Sequence, residues 1–378
     1  MGDFKLPAIC GDRVERMKKN IIFACDTPIQ VLNAVNLKET YYKEYEGDIY
    51  IYAQFKNAKN LYSGLAKSKV FNNVFLVEPY RKYSAMVRKI VTIKRMLLPY
   101  NTLKQYCVDK KIVKRKYDII AFSFITSFTI SVFGMAKADK FILLEDGIGT
   151  YVSDILNNYT SSIFKRIAAH MTYKEIFTPQ KIAVYNPQML KEKEVEVLKL
   201  ENTFTENLGK KIEQIFGYKE NTFYRDNKIV YLTQPLQENK GFSAEKAEEI
   251  IHVLKQQKED IVVRIHPRDN AEYYKEFCSD SVNNLWELEC IHQISDDSIL
   301  IGGYSTTQFM PKILKNVEPY VIFLYKLLFD DLDEDYWKNI EVFIRKFKAN
   351  YSKTNKIIVP ETIEELEKIM DKLKKEEA

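Results

Sequence analysis

The sequence predicts an α/β protein of two doubly wound domains that face a cleft. Short apolar runs alternate with helical patterns, and this alternation is typical of βαβ units with a parallel sheet. It occurs twice, on either side of a polar and irregular stretch at 202–221. A chain of 378 residues also exceeds the usual size of a single hydrophobic core, which favours two domains.

The first set of alternating elements predicts an N-terminal domain at 18–155, preceded by a leader at 1–17. An apolar run at 20–25 predicts the first strand, which ends at Asp26-Thr27-Pro28. Asp or Thr can cap a helix and Pro suits a first turn, so we expect a helix from there to about Tyr41. Further strands are predicted at 48–53, 74–77, 118–122 and 141–144.

The second set predicts a C-terminal domain at 226–330. The charged stretch at 191–200 has a helical pattern, and together with 202–221 it defines a predicted inter-domain helical region at 156–225. The remainder, 331–378, is expected to close the chain as helices. Strands of the second domain are predicted at 228–233, 260–265, 298–301 and 319–324, and helices at 243–257 and 306–315.

Composition excludes several classes of protein. Hydrophobic residues make up 46% of the chain, and 12 Gly with 11 Pro are too few for an all-β or low-complexity protein. The five cysteines are scattered without a CxxC pair, which indicates neither a zinc site nor a disulfide framework and suits a reducing cytoplasm. No signal peptide or membrane-spanning run is visible, so we expect a cytoplasmic protein.

Positive charge is concentrated in one segment, 81–116. It carries twelve Lys/Arg against one carboxylate, Asp109, although the whole chain has a net charge of only +5. Apolar residues are mixed with the cationic ones as in an amphipathic basic helix, and we expect the apolar side to pack on its own domain. The cationic side predicts peripheral binding to an anionic membrane surface.

Three short motifs each follow an apolar run that predicts a buried strand. Glu145-Asp146-Gly147 follows the run at 141–144, and His266-Pro267 follows the run at 261–265. The third motif, Gly302-Gly303-Tyr304-Ser305-Thr306, begins where the run at 298–301 ends. In open α/β sheets ligands bind at the carboxyl ends of the strands. A carboxylate pair, a histidine and a hydroxyl pair are therefore predicted to face one crevice.

The first two motifs have both a chemical and a structural interpretation. Because side chains alternate along a strand, one of Glu145 and Asp146 can face the cleft as a general base while the other holds the loop. An ordinary acidic turn is the structural alternative. His266, flanked by Arg264 and Arg268, suits phosphate binding or protonation of a leaving group, and a surface histidine at a strand end is the alternative.

The hydroxyl pair Ser305-Thr306 follows a strand and opens a predicted helix. The free N–H groups of a helix N-terminus and adjacent hydroxyls bind phosphate, whereas an ordinary helix cap is the structural alternative. The pairing with His266 at a neighbouring strand end favours phosphate. The chain has no complete GxGxxG, no P-loop and no DxD or HExxH metal motif.

In their order and context these motifs resemble those of bacterial sialyltransferases, several families of which share a D/E-D/E-G, a later His-Pro and a Ser-Ser/Thr motif. The opening run from Asn20 to Gln30 looks like glycosyltransferase family 52, which contains lipooligosaccharide and capsule sialyltransferases. The resemblance covers about 18–325. It implies a GT-B-like fold, with two doubly wound Rossmann-type domains facing a cleft. It also implies an inverting enzyme that uses CMP-Neu5Ac, needs no metal and has no cofactor.

The resemblance further implies a role for each motif. Asp146 maps to the base of some of these families, and His266 maps to a contact with the cytidylate phosphate. The hydroxyls of Ser305 and Thr306 map to ligands of the same phosphate. In family 52 the base can instead follow the first strand of the C-terminal domain, where Glu238 is the second candidate. Other substrate contacts are expected from Thr27, Gln30, Glu145, Gly147, Arg264, Pro267 and Gly303.

The leading hypothesis is transfer of Neu5Ac from CMP-Neu5Ac to a galactoside-type acceptor on lipooligosaccharide or capsular polysaccharide. Another nucleotide-sugar glycosyltransferase of the same fold is the alternative. A non-catalytic module that binds anionic polymer through 81–116 is a third candidate, but it would leave the three motifs unexplained. No nucleic-acid motif is recognised, so no nucleic-acid partner is expected. We expect the protein in the cytoplasm or on the inner face of the bacterial membrane, and a homodimer is left open.

Overall fold

Two parallel sheets form the framework of the protein. The computed structural model describes residues 19–80, 84, 87, 90, 91, 93, 97–152, 179–190, 195–201, 206–256, 260–332 and 335–377. The predicted leader at 1–17, much of the predicted inter-domain region and part of the basic segment 81–116 lie outside these residues.

The N-terminal domain alternates strands and helices. Within the described residues its strands form one parallel sheet, whose order reverses between the first and fourth strands. That reversal is the switch point at which open α/β sheets bind ligands. The elements are β1 (Asn20–Cys25), α1 (Pro28–Thr40), β2 (Glu46–Tyr52), α2 (Ala58–Ser68), β3 (Asn73–Val77), α3 (Pro99–Tyr106), β4 (Ile119–Phe122), α4 (Ser127–Ala136), β5 (Lys140–Leu144), α5 (Ile148–Val152), β6 (Lys181–Val184), β7 (Glu196–Lys199) and α6 (Glu206–Phe216), and the sheet order is β3-β2-β1-β4-β5-β6-β7.

The C-terminal domain repeats this plan. Its described strands are also parallel, and their order reverses between β8 (Ile229–Leu232) and β11 (Ile299–Gly302). The other elements are α7 (Phe223–Asp226), α8 (Ala244–Lys255), β9 (Ile261–Arg264), β10 (Cys278–Ser279), α9 (Trp286–His292), α10 (Met310–Lys315), β12 (Tyr320–Phe323), α11 (Tyr325–Leu328), α12 (Asp335–Ala349), β13 (Ile357–Ile358) and α13 (Ile363–Glu377), and the sheet order is β10-β9-β8-β11-β12-β13. Two doubly wound Rossmann-type domains confirm the predicted GT-B-like fold class.

The structure corrects the predicted domain boundaries. β6 and β7 extend the N-terminal sheet into the segment assigned to the inter-domain region, and β13 joins the C-terminal sheet beyond residue 330. The charged stretch that suggested a helix is instead the edge strand β7, whose exposed face carries charges such as Glu196, paired with Lys181 of β6 at 2.6 Å. Charged side chains on an edge strand discourage pairing with other chains. The stretch expected to be irregular contains α6, which packs on α2.

Helix α12 joins the two domains through aromatic packing. Its Phe343 lies 4.8 Å from Phe309 of the C-terminal domain and 5.7 Å from Tyr151 of the N-terminal domain, measured between ring centroids. Aromatic pairs at such distances add specific packing to the burial of apolar area. In the part of the chain that the structure describes, no helix has both the length and the apolar character to cross a membrane.

The loops after β5 and β11 meet directly. The main-chain N–H of Ile148 donates to Thr306 Oγ1 at 2.9 Å. Gly147 has φ +71°, and a Cβ built on it would lie 2.3 Å from that hydroxyl oxygen. Only glycine adopts this conformation without strain and leaves space for Thr306.

We predict that Gly147→Ala lowers the free energy of unfolding by about 2 kcal/mol or more, because the left-handed conformation alone costs a non-glycine residue about 1–2 kcal/mol. Gly149→Ala is the matched control: no atom lies within 4 Å of its built Cβ and its φ is not positive. Its effect should stay within about 0.5 kcal/mol. Urea titration followed by circular dichroism measures both, and equal stabilities would contradict the close contact.

Candidate active site

The carboxylate of Asp146 is held by residues from the start of α1. Gln30 Nε2 donates to Asp146 Oδ1 at 2.8 Å, and Gln30 Oε1 accepts from the main-chain N–H of Asp26 at 2.8 Å. The second bond fixes which end of the amide faces the carboxylate, since an amide oxygen cannot donate. Thr27 caps α1 by accepting from the N–H of Gln30. The predicted contacts Thr27 and Gln30 therefore lie beside the predicted base.

Burial raises the pKa of Asp146 to about 6. The hydrogen bonds from Gln30 and Thr27 oppose this shift, while the negative charge of Asp26 adds to it. A pKa close to neutrality suits a general base, because the group is ionised at pH 7 yet still has appreciable proton affinity. Asp26 is itself buried, and the sequence suggested only a helix cap for it.

Glu145 has a different environment from its neighbour. Its Oε2 accepts from the main-chain N–H of Tyr185 at 2.8 Å and from the hydroxyl of Tyr151, while Oε1 is buried without a described partner. Burial raises the pKa of Glu145 to about 7. Asn33 donates to its carbonyl oxygen at 2.9 Å. Glu145 thus ties β5 to β6, α5 and α1, and this leaves Asp146 as the member of the pair that faces Gln30 and Thr27.

His266 follows β9 in a fixed orientation. Its main-chain N–H donates to Thr233 Oγ1 at 2.9 Å, and its Nδ1 accepts from the N–H of Arg268 at 3.1 Å. Accepting at Nδ1 places the proton of the neutral ring on Nε2, which has no hydrogen-bond partner among the described residues. Burial and the charge of Arg268 lower the pKa of His266, against the opposing charge of Asp269. The ring is therefore a neutral N–H donor at pH 7.

Arg264 does not lie with His266. Its guanidinium donates to Tyr224 Oη at 3.0 Å and to the carbonyl oxygen of Asn284 at 2.5 Å, and it lies 5.2 Å from the ring centroid of Trp286. Alternation along β9 turns these two side chains to opposite sides. Its predicted contact with substrate stays a prediction, and its described contacts hold the loop before α9. Pro267 is exposed beside His266.

The hydroxyl pair lies at the end of β11. Ser305 Oγ accepts from the N–H of Thr307 at 3.3 Å and from its hydroxyl at 2.8 Å. A hydroxyl has two acceptor positions and one proton; both positions are filled, so the proton of Ser305 is directed to another acceptor. Gly303 passes close to Gln234, whose Oε1 would lie 2.7 Å from a Cβ on Gly303. The same oxygen accepts from the N–H of Tyr304 at 3.0 Å.

The helix predicted at 306–315 is broken into two pieces. Thr306–Gln308 is a single 3₁₀ turn, and α10 begins only at Met310, with Pro311 in its first turn. A short helix has few aligned peptide dipoles near a ligand. The hydroxyls of Ser305 and Thr306 consequently matter more for anion binding here than a long helix dipole would.

Two other predictions are only partly addressed by the structure. Glu238 ends the 3₁₀ turn Leu236–Glu238 after β8, and its side chain lies outside the described residues. Among the described residues, no group of three or more His, Cys, Asp or Glu side chains could hold a metal ion. Metal independence therefore stays a prediction.

Sequence reasoning missed Asp26 and Gln234. Asp26 ends β1 as Glu145 and Asp146 follow β5, so its position at a strand end was the available signal. Its closeness to Asp146 depends on the strand order β1-β4-β5, which a single sequence does not reveal.

Solved structures with similar folds include glycosyl-transfer proteins and an epimerase. The glycotransferase of kitacinnamycin has a TM-score of 0.47 and 9% identity, over 94% of this chain and 91% of that one. Medicago truncatula UGT71G1 complexed with UDP-glucose has a TM-score of 0.48 and 10% identity, over 94% and 90%. The UDP-GlcNAc 2-epimerase from Neisseria meningitidis bound to UDP-GlcNAc has a TM-score of 0.43 and 12% identity, over 94% and 99%. No curated protein sequence matches the chain.

A family profile matches most of the sequence. The profile is that of alpha-2,8-polysialyltransferase (POLYST), and it matches residues 21–316, from β1 to the end of α10, with all three motifs inside. This confirms the resemblance to sialyltransferases, whereas the narrower resemblance to family 52 stays a prediction. The chain belongs to the alpha-2,8-polysialyltransferase family and is a glycosyltransferase.

Proposed function

We propose that this glycosyltransferase moves Neu5Ac from CMP-Neu5Ac to a hydroxyl of a glycan acceptor, with inversion at the anomeric carbon. One observation carries the proposal: a carboxylate of near-neutral pKa and an unspent hydroxyl donor flank the same contact between the two domains. Asp146 lies two residues before Ile148, and Ser305 lies one residue before Thr306, whose Oγ1 accepts from Ile148. A base and an anion-binding group thus face each other across the switch points of the two sheets.

The reaction is a single displacement. Asp146 takes the proton of the acceptor hydroxyl as its oxygen forms a bond to C2 of the sialic acid. The bond between C2 and the phosphate oxygen breaks, and its electron pair leaves with CMP. The product carries the opposite anomeric configuration, and the proton on Asp146 is later released to solvent. The base therefore acts on the acceptor alone.

Hydrogen-bond donors stabilise the leaving phosphate. The hydroxyl proton of Ser305 and the Nε2–H of His266 are both available, and the hydroxyl of Thr306 retains its own proton while it accepts from Ile148. Preorganised donors aimed at developing negative charge are worth several kcal/mol at buried sites. Because CMP leaves as a stable phosphate monoester, no proton transfer from His266 is required.

The family name favours one acceptor. An α2,8 linkage is formed on the 8-hydroxyl of a sialic acid, so the preferred acceptor under this proposal is a glycan that ends in sialic acid. The galactoside-type acceptor on lipooligosaccharide or capsular polysaccharide is the second candidate, supported by the resemblance of Asn20–Gln30 to family 52.

The donor is tested first, with purified protein in excess EDTA. We expect release of CMP from CMP-Neu5Ac, faster with a sialylated acceptor than with lactose, and no turnover of UDP-sugars. Activity should survive chelation because the phosphate has donors from the protein. Turnover of a UDP-sugar alone would overturn the donor assignment, and activity lost in EDTA but restored by Mg²⁺ or Mn²⁺ would overturn metal independence.

We predict that Asp146→Asn lowers kcat by about 10²-fold or more while the Kd for CMP changes little, because a base acts in the transition state. Glu238→Gln is the matched variant of the second candidate and should retain most activity. The reverse pattern, an active Asp146→Asn and an inactive Glu238→Gln, would transfer the base to Glu238. Isothermal titration with CMP and steady-state kinetics give the two numbers.

The pH profile tests the same assignment independently. Asp146 must be ionised to accept a proton, so kcat/KM should fall as pH drops below about 6. Asp26→Asn removes a negative charge that raises the pKa of Asp146, and the acid limb should therefore move to lower pH. An acid limb that stays in place would separate Asp146 from the titrating base.

We predict that His266→Ala lowers kcat/KM by about 10²-fold, the usual effect of removing one donor to a developing anion. His266→Gln can restore a neutral N–H donor and should recover part of the loss. If His266 instead transfers a proton, Gln and Ala will be equally impaired. Thermal melts of both variants check that the loop after β9 still folds.

A further inference from the structure

The chain leaves the N-terminal sheet after β3 and returns to it at Val108, and this excursion has a fixed base. Val77 forms an antiparallel bridge with Cys107. The N–H of Glu78 donates to the carbonyl oxygen of Tyr106 at 2.9 Å, and the N–H of Val108 donates to that of Leu76 at 2.9 Å. α3 closes the excursion and packs against α4. Whatever the excursion presents is therefore held at a defined place on the domain.

Five apolar side chains of the excursion are exposed, and we name them the apolar strip. Leu97 is 70% exposed and Ile90 is 68% exposed, although the sequence led us to expect packing on the domain. Four of the five lie three or four residues apart, which places them within about 120° of one helical face. The apolar strip consists of Val87, Ile90, Ile93, Leu97 and Leu98.

Positive charge surrounds the apolar strip. Segment 81–116 carries twelve Lys/Arg and one carboxylate. Arg115 and Lys116 are neutralised by Glu46 and Asp139, at 2.7 and 2.8 Å. The lysines at 104, 110, 111 and 114 are exposed, and within the described residues none pairs with a carboxylate. A second copy of this surface would be repelled by the same charge, whereas an anionic surface would be attracted.

We propose that the excursion 78–106 docks on an anionic lipid bilayer, with the apolar strip inserted between the lipids and the lysines at the headgroups. Apolar side chains on a cationic helical surface are typical of proteins that lie in the membrane interface. Because the strands are parallel, β3 ends at the same edge of the sheet as β1 and β5, which carry Asp26 and Asp146. Docking therefore brings the base side of the cleft towards acceptors attached to the membrane. This inference does not depend on which sugar donor is used.

Flotation of the full-length protein with vesicles tests the docking. We expect binding to phosphatidylglycerol-rich vesicles and little to pure phosphatidylcholine, with affinity falling as salt rises. Ile90→Ser/Leu97→Ser should weaken binding by about tenfold or more without changing net charge, because two apolar anchors are removed. Val197→Ser/Val342→Ser is the control, since both valines are 39% exposed and lie outside the excursion.

Insertion itself is measured with Leu97→Trp. The fluorescence of the introduced indole should be quenched by brominated lipid only when anionic vesicles are present, while Trp286 and Trp337 are buried and give a constant background. Kinetics on a short water-soluble acceptor should be unchanged by Ile90→Ser/Leu97→Ser, which shows that the variant folds.

Four results would overturn the proposal. They are equal binding of wild type to both vesicle types, binding to neither type, unchanged binding of Ile90→Ser/Leu97→Ser, and an absence of quenching in the Leu97→Trp variant. A wild-type dimer that the double serine variant dissociates would instead assign the apolar strip to a second copy of the chain.

Discussion

One hydrogen bond between the domains determines the geometry of the site. Ile148 N–H donates to Thr306 Oγ1, and the approach is close enough that no Cβ fits at Gly147. The loops that follow β5 and β11 are thereby held against each other. Asp146 and Ser305 stand next to this contact on opposite sides, so base and phosphate ligand are positioned together. A hydroxyl that accepts from one domain and keeps its own proton for a ligand also couples substrate binding to the apposition of the domains.

The two adjacent carboxylates show how position along a strand separates function from structure. Glu145 points into the interior, where Tyr151 and Tyr185 bind one of its oxygens. Asp146 turns to α1, where Gln30 orients it and Asp26 raises its pKa. Glu145 also connects to the domain interface, since Tyr151 packs on Phe343 of α12. A change at Glu145 therefore acts on the site through the framework, and a change at Asp146 acts on the chemistry.

The C-terminal domain handles negative charge with neutral groups. Its nearby arginine, Arg264, is used to hold the loop before α9. The free donors are instead the hydroxyl of Ser305 and the imidazole N–H of His266, which the bonds of Thr307 and Arg268 orient. Neutral donors in a fixed orientation stabilise a leaving phosphate without holding the product as tightly as a full positive charge would. Release of CMP is thereby eased.

The sequence alone determined the fold class and the three motifs. Alternating apolar runs specify buried parallel strands, and polar residues directly after them fall at the ligand-binding edge whichever way the strands are ordered. It could not reveal the strand order, which brings Asp26 and Gln30 to Asp146 over more than a hundred residues of chain. It also misread β7 as helix and the apolar strip as core, because charge and periodicity are local properties. Only the tertiary structure decides which face of an element is covered, since burial depends on neighbours that are distant in the chain.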